Sequence, residues 1–179
     1  MFNLFKSNEA IIKTTDKIWK NKQGKYSACL NQSALDEEIF FILWFEDTVS
    51  EMDEFFSSKG NSTNNILFYR EVNAMNVRSK KIIFAEHYPL YNKEQEIFKK
   101  LKISKAIVYS SLDEPLFASF GSSQIISLME KMGMNDDETL ENNMISKAIK
   151  NLQQKIKEKV IAEVSARSMG EWFANNYNL

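Results

Sequence analysis

Glycine and proline are scarce in this chain: five glycines and two prolines in 179 residues. No two glycines are near neighbours, and no G-x-x-x-x-G-K-[ST] string occurs. A glycine-rich backbone cradle for phosphate is therefore excluded. Arginine, the usual fork for phosphate or carboxylate, occurs only as Arg70, Arg78 and Arg167. The single cysteine, Cys29, closes no intrachain disulfide and builds no zinc cage by itself, which suits a reducing compartment. On a helix face it reads as a small buried apolar residue. No apolar run approaches the roughly 20 residues of a membrane span; the longest is Ile39 to Phe45. Met1 to Lys6 is too short for a signal peptide, and Glu9, Lys13 and Asp16 soon follow. Basic excess is missing too. A net charge of -1 gives no electrostatic case for a nucleic-acid partner. These absences describe a soluble cytoplasmic protein with no integral membrane segment.

What is present is enough apolar and aromatic residue (44% and 12%) to build a core. Ser7 or Asn8 offers a cap for a first helix from Glu9, interrupted at Gly24. Ile39 to Phe45 is a continuous apolar run suited to a strand buried on both faces. Val49, Met52, Phe55 and Phe56 recur at helical spacing, and Gly60 ends that helix. Further strands are predicted at Ile66 to Tyr69, Lys81 to Ala85 and Ala106 to Tyr109, with a helix from Glu94 to Lys102. Strands alternating with helices define an α/β fold with a small, mainly parallel sheet. Beyond Ser110 the pattern is helical. Glu114 to Lys131 is one helix bent at Gly121, and a long amphipathic helix runs from Glu141 to about Arg167. An aromatic tail follows. The predicted division is an α/β domain over 1–112 and a helical extension over 113–179.

Val108 to Ser122, with its Tyr109-Ser110-Ser111-Leu112-Asp113-Glu114 strand end and Phe120-Gly121-Ser122, resembles a signature of SecA, the bacterial preprotein-translocating ATPase family. The pattern continues without a gap through Leu128-Met129, Met132-Gly133-Met134, Leu140-Glu141 and Met144 to Ile149, ending at Gln153 to Ile156. Upstream, Asp16 to Lys20 with Lys25-Tyr26 resembles the start of that family's second motor domain, and Ile82 to His87 one of its strand ends. The resemblance implies a degenerate RecA-like, P-loop-type domain followed by the start of a helical scaffold.

The family's chemistry is not carried over. Its Ala-Gly-Arg-Gly-Thr-Asp loop would fall between Gly60 and Lys81, which is too short and contains no glycine between those ends. Its arginine-finger region would fall at Tyr88 to Lys105, which has neither Arg nor Gly. Without cradle and finger, ATP turnover is not expected, and no cofactor or metal site is assigned. The resemblance implies a non-enzymatic interaction module tied to protein export, with a translocase component as partner and a homodimer as a further option. The alternatives are a residual nucleotide-binding domain without turnover and a small enzyme using Glu86, His87 or Asp113. Those three are the polar-cluster candidates, set against ordinary strand-end residues and helix-dipole carboxylates. Trp172, Phe173 and Tyr177 are the candidate partner contacts, set against docking of the tail onto its own chain.

Overall fold

The computed structural model describes residues 10–118 and 121–177. The cap expected at Ser7 or Asn8 lies outside them, as does Phe120. Five strands and seven α-helices alternate as β1 (Lys13–Trp19), α1 (Lys22–Leu35), β2 (Ile39–Leu43), α2 (Glu46–Ser58), β3 (Ile66–Phe68), β4 (Lys81–Phe84), α3 (Tyr91–Lys100) and β5 (Lys105–Ser111). Four helices follow: α4 (Pro115–Ala118), α5 (Ser122–Lys131), α6 (Asn143–Lys159) and α7 (Met169–Asn176). The sheet order is β1-β5-β4-β2-β3, every pairing parallel. The structure is thus the α/β fold expected from the sequence: a small parallel sheet flanked by helices, with further helices at the C-terminal end.

Alternation along each strand sorts its side chains to two faces. Ile39, Phe41 and Leu43 of β2 and Ile83 of β4 join Met52 and Phe56 of α2 and Cys29 of α1. Ile42 and Phe84 point the other way, into a cluster with Phe98 of α3, Ile149 and Ile156 of α6 and Trp172 of α7. That second cluster draws on both sides of residue 112.

Four sequence expectations are corrected. The predicted first helix is β1 over Lys13–Trp19, registered with β5 from Lys13↔Lys105 to Trp19↔Ser111. Seven parallel pairs outweigh the weak local preference of Lys13-Thr14-Thr15. The helix starts only after Asn21, whose side chain accepts from the Gly24 amide at 2.9 Å. Gly24 does not interrupt that helix but lies in its first turn, where a Cβ would stand 2.0 Å from the Asp136 carbonyl oxygen. The helix expected from Glu114 is divided into α4 and α5, and Gly121 adopts φ +82° at the start of the second piece. Finally, α6 ends at Lys159 rather than near Arg167. Residues 160–168 leave the helix and cross the carboxyl edge of the sheet, where the Asp47 amide donates to the Arg167 carbonyl at 3.0 Å.

β1 is an edge strand. Its Ile18 exchanges two backbone hydrogen bonds with Leu140 on the open side, at 3.0 and 2.9 Å.

Candidate functional site

In open parallel sheets the carboxyl ends of the strands, where strand order reverses, form the usual ligand crevice. Here the chain moves outward from β2 to β3, then returns past β2 to β4 and β5. The reversal therefore falls between β2 and β4. Two groups of residues meet at this edge.

The lower group is a buried layer of ionisable side chains. Lys25, Glu86, His87, Asp16, Glu94 and Glu114 are each 2% exposed or less. Lys25 reaches from α1 under the sheet end, donating to Glu114 at 2.5 Å and to the Ala85 carbonyl at 2.6 Å. Burial works against its charge, yet Glu114 and Glu86 hold its pKa above the ordinary value. Glu114 also accepts from the Ser111 amide and hydroxyl.

Glu86 accepts from the amides of Trp44 and Phe45 at 2.7 and 3.1 Å, at the amino end of α2, and from the Thr48 side chain. Its backbone carbonyl takes the Trp44 indole N–H at 3.0 Å. Burial pushes the Glu86 carboxyl up to about 7, although Lys25 opposes this.

His87 turns the other way and is held between two carboxylates, Asp16 at 2.9 Å on Nε2 and Glu94 at 2.8 Å on Nδ1. Burial alone would lower its pKa, but Glu94 and Asp16 push it up to about 10, so the ring is an imidazolium at neutral pH. Burial alone would raise the Asp16 carboxyl; bonds to His87, Ser146 and Thr14 hold it below the ordinary value.

Above this layer lies the crevice itself. It forms two small hollows of about 150 and 270 Å³, both walled by Trp44, Tyr69, Arg70 and Tyr88. Each is smaller than the ~300–1,000 Å³ of ordinary ligand pockets. The C-terminal strap roofs them. Glu163 accepts from the Tyr88 hydroxyl and, at 2.9 Å, from the Trp172 indole N–H. Arg167 pairs with Glu46 and Asp47.

Glu86 and His87 are therefore adjacent in sequence but serve separate partners. Asp113 joins neither: it is exposed and accepts from the Lys22 amide at the start of α1. Trp172 and Tyr177 are buried in their own chain, and Phe173 is half-buried against them. Cys29 is fully buried, its thiol pushed up to about 12 chiefly by burial. Sequence reasoning missed Lys25, Asp16 and Glu94 as members of the buried layer. The available signal for Lys25 was a charge placed among Gly24, Tyr26 and Cys29 on the inner face of a helix. Nothing local marks Asp16 or Glu94, since their partner is His87. Among the described residues there is no group of three or more His, Cys, Asp and Glu suited to a metal ion, and no helix long and apolar enough to cross a membrane.

A second surface lies on the far side of β1. Between α5 and α6 runs an apolar groove of about 250 Å³, floored by Ile18, Leu112 and Ile149 and walled by Ile125, Ile145 and Leu152. Beside it, Leu128, Met132 and Met144 are 57%, 69% and 77% exposed.

Fold and site thus define a small parallel α/β protein with a closed carboxyl edge and an open apolar groove among its C-terminal helices. No family model matches the chain. Curated relatives do. The chain is 44% identical over 48 residues to the protein translocase subunit SecA 1 of Alkaliphilus metalliredigens and 46% identical over 48 residues to SecA of Desulfotalea psychrophila. It is 42% identical over 53 residues to SecA of Porphyromonas gingivalis. These matches cover 27% to 30% of this chain and only 5% to 6% of the relatives' length. The similarity is partial: part of the chain is remotely related to SecA.

Proposed function

We propose that this chain is a non-enzymatic, SecA-related interaction module that acts by surface contact with a protein partner. One observation carries the reading. The strand-end charges are bonded to one another and roofed by the chain's own strap, while no described residue covers the apolar groove between α5 and α6. The oxygens of this layer that lack a bond, Glu94 Oε2 and Glu114 Oε2, are themselves buried and so are not presented to a substrate from solvent. An uncovered groove of this kind accepts the apolar face of an amphipathic helix. By ancestry the partner is a component of the protein-export translocase, a link that rests on analogy.

The test is capture of purified translocase components, SecA included, on the immobilised chain, with Leu128→Lys in parallel. Retention by the natural chain and loss by the variant supports the reading. No retention of any translocase component removes the export link. Steady phosphate release from ATP by a clean preparation, abolished by changing one buried residue such as Lys25, overturns the non-enzymatic assignment.

A further inference from the structure

At the opposite, amino end of the sheet the structure opens a cleft of about 740 Å³, between the loop that enters β4 and the turn that enters β5. Its wall carries five cationic side chains, Arg78, Lys80, Lys81, Lys102 and Lys105, and among the described residues no carboxylate. The chain as a whole has a net charge of -1, so this is a local concentration rather than a reflection of bulk composition.

Two independent features show that the cleft is built into the fold. First, β4 and β5 register at Phe84↔Val108 alone among the described residues, whereas β5 and β1 register over seven pairs. The two strands thus part toward their amino ends, and Ile82 and Ile107 line the opening. The amides of Lys81 and Ala85 donate to Glu38 and Ile42 on the β2 side. By strand alternation the peptide groups of Ile82 then face the split.

Second, the backbone fixes two residues of this wall in place: Lys102 takes φ 57° in the cap that ends α3, where its amide and that of Ile103 donate to the Lys99 and Phe98 carbonyls at 2.9 and 3.0 Å, and Ser79 takes φ 66° in the loop that enters β4. Lys80 is already paired with Glu38, and Lys81 donates to Gln32 at 3.3 Å. Arg78, Lys102 and Lys105 remain exposed, with no ion-pair partner among the described residues.

We infer that this cleft binds a small phosphate-bearing molecule with several negative charges. Its volume falls in the range of small-molecule pockets. Concavity favours a compact ligand over the track a long polyanion needs. Arg78 supplies the planar fork and the lysines point charges, while Ile82, Ile103 and Ile107 offer apolar contact to an attached organic group. The site lies at the end of the sheet opposite the strap-covered crevice.

Calorimetric titration of the whole chain with inorganic tripolyphosphate, without magnesium and at low salt, tests this. Binding is expected, weakened about tenfold or more in the K102E/K105E double variant, which replaces two charge-assisted contacts with repulsion. The Leu128→Lys variant, whose substitution lies beside the apolar groove, is expected to bind as the natural chain does. Arg78→Ala, on an exposed loop, provides a second reading should the double variant fail to fold, and must also weaken binding. No heat of binding, or equal affinity in all variants, overturns the assignment. Tighter binding per phosphate of a single-stranded oligonucleotide than of tripolyphosphate also overturns it, making the face a nucleic-acid surface instead.

Discussion

His87 shows how a residue with catalytic credentials becomes part of the framework. Its two ring nitrogens are both bonded to buried carboxylates, Asp16 and Glu94. Removing one partner of a buried ion pair leaves an uncompensated charge and costs about 3–5 kcal/mol. His87→Gln is accordingly expected to lose about that much stability at pH 6, read from urea unfolding. The pH dependence has a definite sign. The folded pKa of about 10 lies above the unfolded value near 6.5. The native state therefore holds a proton that the unfolded chain has released between those values. This stabilisation is complete below 6.5 and is lost as pH rises through about 10. The gap between natural chain and variant should narrow over that window; a gap independent of pH would refute the imidazolium. Glu86 contributes in the same direction, over a lower window. Its raised pKa favours the folded state at acid pH, and that contribution disappears between about 4.5 and 7.

At the scale of elements, the two ends of the described chain depend on distant partners. Trp172 of α7 is fully buried against Tyr88 and Phe173 and donates to Glu163. Trp172→Ala should cost ~3–5 kcal/mol, as truncation of a buried tryptophan does. A thermal melt unchanged by that substitution would mean that α7 does not dock. Gly24→Ala places a Cβ against the Asp136 carbonyl of the segment between α5 and α6. Backbone must move to admit it, so a loss of about 1–3 kcal/mol is expected in urea unfolding.

The same elements explain what was legible in the sequence. β2, α2, β4 and β5 announce themselves through uninterrupted apolar runs or 3.6-residue spacing, because their burial is local information. β1 does not: Lys13-Thr14-Thr15-Asp16-Lys17 becomes a strand only when laid beside β5, roughly ninety residues away. The end of α6 was invisible for a similar reason, since the strap's departure is fixed by contacts with Tyr88 and Asp47. Glu86 and His87 could be singled out as strand-end residues, but their divergent partners could not.

Across the whole molecule the two ends of the sheet differ in character. Among the described residues the carboxyl end is sealed by self-contact, and the amino end is open and basic. The apolar groove lies on a third side, between α5 and α6. A Leu128→Lys substitution and a K102E/K105E pair should therefore act independently: each should remove its own binding and leave the other within experimental error. Coupling between the two would indicate a rearrangement of the sheet that links them.

The bond pair between Ile18 and Leu140 has a last consequence, for self-assembly. A bare outer strand invites a second chain to zip onto it. Here one margin is fastened by residue 140, and at the opposite margin the three residues of β3 make a poor template. Copies of this protein are thus discouraged from growing a continuous ribbon through their sheets.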